Sequence, residues 1–170
     1  MKFFKAVLVV LLLLVSALAL IGVFVPEVDD EFETEINRPV IQVYAAMMNL
    51  QKAPEWVVGL DSVERTTGFL AMPGSTFKLH YSGAETNVVY NMEVIEMVPL
   101  KSVKFKLYND MFEFDVTVKF EADMLSTKMN TYVQIKGKGL VERSLLPLMK
   151  SSIMQVGKDN FKALKELQEG

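Results

Sequence analysis

The chain has 170 residues, 51% hydrophobic and 23% charged, which excludes disorder and, once an N-terminal segment is set aside, leaves room for one domain. Its 18 Lys and Arg are thinly spread and outnumbered by 21 acids, for a net charge of −3; without a basic patch or stripe, no nucleic-acid partner is expected. The absence of cysteine excludes disulfides, zinc-thiolate sites and thiol nucleophiles, and a single histidine, His80, excludes His-based metal clusters; no metal is expected, and no cofactor.

Ala6 to Val25 is apolar throughout apart from Ser16, with Gly22 a minor weakness. As a helix it rises about 30 Å, the thickness of a bilayer hydrocarbon core, and satisfies its own backbone hydrogen bonds. Lys2, Lys5 and the amino terminus precede it, and Glu27, Asp29, Asp30, Glu31, Glu33 and Glu35 follow. The positive-inside rule then sets the N-terminus in the cytoplasm and the remainder outside, as a single-pass membrane protein. A cleaved signal peptide is the rival, since Ala17-Leu18-Ala19 fits the cleavage pattern, but the apolar run continues through Leu20, Ile21, Val23, Phe24 and Val25. A buried core helix is the plain alternative, and the lack of any polar face weighs against it. The expected organisation is an anchor over 1–25, an acidic linker over 26–30 and one domain over 31–169.

Phe32 to Ile36 alternates as a first strand. Asn37-Arg38-Pro39 reads as a helix start, and Val40, Val43, Tyr44 and Met47 form a stripe through Asn49. Leu50 to Val58, with Pro54 and Trp56, suggests a second short helix. The period then changes to two. Strands are expected over Ser62–Thr67, Ser75–Tyr81, Glu85–Val98 (with a bulge near Glu93-Val94-Ile95), Ser102–Tyr108, Met111–Glu121 and Ser126–Lys136. Gly137 and Gly139 end the sheet. Ser144 to Glu169 reads as one long helix, capped by Ser144 with Pro147 in its first turn, and with Leu145, Met149, Ile153, Val156, Leu164 and Leu167 as its apolar stripe. Gly157 and Asn160 loosen its middle.

This order is α+β: a strand, two short helices, about six antiparallel strands and a long amphipathic helix that must cover the sheet's apolar face. It resembles the START-like, or SRPBCC, superfamily with its helix-grip, polyketide cyclase/dehydrase-like fold, here as a membrane-anchored member. The resemblance rests on Glu35-Ile36-Asn37-Arg38-Pro39 with Val43, Trp56, Gly74-Ser75, Glu93-Val94-Ile95-Glu96 before Pro99, and Leu164-Lys165, and covers about residues 31 to 167. It implies a curved sheet gripping the C-terminal helix around a cavity for a lipid or other hydrophobic small molecule. Members include cyclases and dehydratases, but no catalytic motif is shared across them, so no catalytic residue carries over. The lining expected between sheet and helix is Trp56, Phe77, Leu79, Tyr81, Tyr90, Phe105, Phe114, Val116, Met149 and Ile153. A bacterial inner membrane, with the domain in the periplasm, is the expected location. The alternatives are a cyclase- or dehydratase-type enzyme, which needs a titratable group in the cavity, and a partner-binding protein with a filled core.

Other chemistry-bearing residues have plainer readings. His80 alternates with Phe77, Leu79 and Tyr81 in a manner that sends it to the wet face. Glu93 and Glu96 fall on opposite faces of a regular strand, unless a bulge intervenes. Asp110, Glu113 and Asp115 are too few oxygens for calcium. Ser144 has no His partner for nucleophilic work and suits a cap. Trp56 suits core packing as well as a pocket mouth or the membrane interface. Met47, Met48, Met149 and Met154 lie on helices that border the gap, and fill irregular cores equally well.

Overall fold

A computed structural model describes residues 2–83 and 87–170. Helix α1 (Lys2–Phe24) leads into β1 (Glu27–Ile36), α2 (Val40–Met48) and a short 3-10 helix, Leu50–Glu55. Six strands follow: β2 (Leu60–Thr67), β3 (Thr76–Ser82), β4 (Asn87–Val98), β5 (Ser102–Tyr108), β6 (Phe112–Ala122) and β7 (Thr127–Gly137). The chain closes with α3 (Leu140–Glu169). Glu85, the expected first residue of the fourth strand, lies outside the described residues.

The strands form one antiparallel sheet in the order β1-β7-β6-β5-β4-β3-β2. Alternating side chains give it two faces. Val118 and Thr131 point inward as a buried pair, and Lys119 and Asn130 beside them point out. On the inner face lie Ile36, Met129, Ile135, Val103 and Val94, all fully buried. Helix α3 lies across β1 and β7 on that face. This is the α+β helix-grip architecture expected from the sequence.

Three local expectations are corrected. The acidic segment 26–30 is not a linker: β1 starts at Glu27, and Glu27 pairs with Lys136 as Ile36 pairs with Thr127. Its acids obscured the alternation, because Glu27, Asp29, Glu31, Glu33 and Glu35 share the outer face while Val28, Phe32 and Ile36 turn inward. Asp30 also turns inward, where Lys150 of α3 meets it at 3.5 Å. Helix α3 starts at Leu140, so Ser144 is no cap and Pro147 lies inside the helix; the buried Ser144 hydroxyl donates to the Leu140 carbonyl at 2.8 Å instead.

The third correction is the rotation of α3. Leu146, Met154, Phe161 and Leu164 are its buried apolar residues, whereas Leu145, Met149, Val156 and Leu167 are exposed. Phe161 sets this register by meeting Phe32 edge-on at 5.3 Å and Trp56 at 6.2 Å. The two residues expected to loosen the helix serve its packing. Gly157 faces the Phe32 ring, and the Asn160 side chain accepts the Val58 N–H at 2.8 Å.

Candidate functional site

The end of the sheet where β1 stops and β7 starts holds a cleft of about 550 Å³. One wall is α2 and the turn after it: Tyr44, Ala45, Met48, Asn49, Leu50 and Gln51. Pro39 fixes the entry to α2 at φ −58°, and Val43 and Met47 anchor the helix in the core, which turns Tyr44 and Met48 toward the cleft. The opposite wall is the sheet, with Arg65 of β2, Phe77 of β3, and Met97 and Pro99 at the end of β4. The third is the β2–β3 loop, through Leu70, Ala71 and Met72.

That loop is held in shape at both ends. Gly68 has φ +82° and lies so close to Ser75 that a Cβ there would overlap it. Gly74 has φ +84° and donates its N–H to the Val94 carbonyl at 2.8 Å. Between them Phe69 is 69% exposed and Leu70, with φ +52°, is 61% exposed. Arg65 is the one charged side chain in the lining. Among the described residues it makes no ion pair. The Tyr44 ring meets Phe120 edge-on at 5.3 Å, and its hydroxyl is buried without a hydrogen-bond partner. Burial raises the pKa of that phenol, so at neutral pH it is a donor in want of an acceptor.

Of the ten residues expected to line a cavity, the cleft contains Phe77. Tyr81, Tyr90 and Phe114 come together at the opposite end of the sheet, stacked edge to face at 5.7 and 5.8 Å. They remain partly buried although they point inward, as do Phe105 and Ile153, which pack against the core. Burial, and then the neighbouring Tyr90, push the Tyr81 phenol up to about 12. Leu79 and Val116 are buried in the core. Trp56 is buried against Phe161, and its indole N–H has no partner. Met149, 37% exposed, is turned away from the core.

The sequence reading did not single out Arg65, Gln51 or the β2–β3 loop. A signal existed: Phe69-Leu70-Ala71-Met72 is an apolar run between Gly68 and Pro73-Gly74, where turns are ordinarily polar. The remaining candidates are accounted for on the outer face. His80 stands 3.4 Å from Glu64. A bulge at Ile95 returns Glu93 and Glu96 to one face, each opposite a lysine, Lys106 and Lys104. Glu113 and Asp115 flank Lys106 at 3.0 and 3.9 Å, and the hydrogen bond that Lys106 donates to Glu113 raises that lysine's pKa. No group of three acids or histidines fit for a metal ion occurs among the described residues. A second hollow, about 380 Å³ and lined by residues that include Glu31, Glu33, Thr117, Lys119 and Tyr132, is of mixed polarity and lies on the outer face.

A curved sheet closed by α3 and opened at the α2 end defines the protein as a helix-grip domain. Solved structures bear the same architecture. The chain superposes on Ara h 8.0201 with a TM-score of 0.70 and 16% identity, over 83% of this chain and 97% of that one. Zhui aromatase/cyclase from Streptomyces sp. R1128 gives 0.71 at 9% identity, over 84% and 94%. A START superfamily protein from Mycobacterium smegmatis gives 0.69 at 14%, over 83% and 97%. At these identities the likeness is one of fold. No protein-family model and no curated protein sequence matches the chain.

Proposed function

We propose that this protein is a membrane-tethered binding module that holds a lipid or other apolar small molecule. The observation that carries the reading is the 550 Å³ cleft, whose walls are mostly aliphatic, methionine and aromatic side chains around one cation, Arg65. That volume lies within the range of small-molecule sites, which combine an apolar lining with a few orienting polar groups. Removing apolar ligand surface from water supplies about 25 cal/mol per Å² before ordering costs. Arg65, exposed in the lining, offers several donors, which favours a ligand with an anionic or carbonyl end. START-type neighbours, among them one named an aromatase/cyclase, support a ligand-holding use of the fold.

The cleft's chemistry favours binding over a cyclase or dehydratase reaction. Its titratable lining groups are an arginine, always charged, and a phenol with a raised pKa, so neither is a base at neutral pH. The tether in this reading is α1, with Phe3–Phe24 long enough to cross a bilayer at a mean hydropathy of 3.2 and exposed along nearly all its length. The N-terminus is cytoplasmic and the domain outside, with a bacterial inner membrane as the proposed setting.

An environment-sensitive apolar anion titrated into the full chain in detergent micelles tests this. The expected result is saturable binding that Ala45→Trp, on the exposed cleft wall, abolishes. Equal binding by both proteins overturns the site, and partition into micelles alone overturns the function.

A further inference from the structure

The first turns of α3 lie at the end of the sheet where α1 arrives. Glu27 pairs with Lys136, so the exit from α1 and the entry to α3 are neighbours, and the two helices pack together. Their contact is close. A Cβ on Gly22 would stand 2.6 Å from the Leu140 carbonyl and would overlap the Ser144 hydroxyl. Backbones approach this closely where small residues meet, as between helices in lipid.

Past this contact α3 exposes apolar side chains almost alone. Val141 and Leu148 are each 67% exposed, and Leu140, Leu145, Pro147 and Met149 are exposed with them. The two charges in this stretch, Glu142 and Arg143, are half-buried, and Arg143 Nε donates to the Gly137 carbonyl at 2.9 Å. Lys150 turns to Asp30. Beyond it the exposed positions include Ser151, Ser152, Gln155, Lys158 and Asp159, with Val156 and, near the end of the helix, Leu167 the apolar exceptions. A soluble helix keeps one polar face, and a helix apolar on its outer sides is covered by core or by lipid. Among the described residues, no part of the domain covers these turns.

We propose that Leu140–Met149 is a second membrane element: the first turns of α3 lie at the headgroup–acyl boundary of the outer leaflet, packed against the end of α1 with Glu27 and Lys136 at headgroup level, and α3 leaves the bilayer surface near Lys150. The occupant of this surface is the acyl region of the bilayer that α1 crosses, since the apolar surface of α3 continues directly from that of α1. The inference rests on the tether reading. Its consequence is orientation: the domain is held by two helices instead of swinging on one. The Tyr81–Tyr90–Phe114 end then faces the membrane, and the α2 cleft opens away from it.

The chain has no cysteine, so single-cysteine probes are direct. Leu12→Cys, Leu148→Cys and Lys158→Cys, each carrying an environment-sensitive fluorophore, are placed in the full chain in phosphatidylcholine–phosphatidylglycerol vesicles. The expected pattern is quenching by nitroxide-labelled lipid at positions 12 and 148 at least threefold stronger than at 158, and quenching by aqueous iodide at 158 alone. Iodide access at 148 with lipid contact at 12 overturns the second element and leaves the tether standing. Iodide access at both overturns both. Shielding of 148 from iodide and from lipid nitroxide marks a protein partner, such as a second copy, and overturns the proposal.

Discussion

Arg65 and Phe77 face each other across β2 and β3, and both line the cleft. This pairing is inverted from the usual logic of a sheet, where an inward register position opposite a buried aromatic is apolar. Phe77 is buried and Arg65 exposed, so the guanidinium has water on one side and the apolar walls on the other.

Replacing Arg65 therefore separates binding from stability. Arg65→Gln is expected to weaken an anionic apolar ligand by about tenfold, the low end of the roughly 1.5–3 kcal/mol of a charge-assisted hydrogen bond, because the site is partly wet. Its unfolding midpoint stays within about 0.5 kcal/mol of the parent, as for an exposed side chain without a partner. Isothermal titration and urea unfolding check the two halves.

The rotation of α3 makes an opposite pair of predictions. Phe161→Ala removes a ring that joins Phe32 to Trp56 and is expected to cost about 3–5 kcal/mol. Met149→Ala, on the stripe that the sequence favoured, is expected to change stability in detergent by less than about 0.5 kcal/mol. Equal losses in denaturant unfolding contradict the observed register.

The β2–β3 loop distinguishes two glycines with similar backbones. Both Gly68 and Gly74 have positive φ, so alanine at either costs about 1 kcal/mol of backbone strain. A Cβ at Gly74 meets open space, whereas at Gly68 it overlaps Ser75. Gly68→Ala is expected to be the worse by at least about 1 kcal/mol, read as the gap between their unfolding midpoints.

Tyr81 predicts alkaline behaviour. Its folded pKa of about 12 lies above its ordinary value of 10.0, so the folded state keeps a proton that the unfolded state gives up. The stability from its buried neutral form is present in full below pH 10 and is lost as pH rises toward 12. Tyr81→Phe is expected to flatten the fall in stability over that window. Phenolate absorbance followed through the same window checks the titration directly.

The sheet was legible because alternation survives in strands with one wet face, as in Phe112 to Phe120. Two stretches hid their structure. In β1 the acids at Asp29 and Asp30 broke the visible pattern, and pairing with β7 plus the Lys150 contact restores it. In α3 the first turns are apolar on several sides, so periodicity alone cannot fix rotation; Phe161 does so through tertiary contacts. The cleft was the least legible part. Its walls come from α2, a loop and strand ends brought together by topology, whereas the sequence pointed to inward aromatics such as Tyr90 and Phe114 toward the sheet's other end.

The most direct test of the account is what the protein carries. Full-chain protein and its Ala45→Trp variant, purified in parallel from membranes, are ejected from detergent in a native mass spectrometer. The account predicts a discrete apolar adduct on the parent chain, extractable into organic solvent and lost from the equally folded variant. An adduct-free parent, or the same adduct on both proteins, contradicts it.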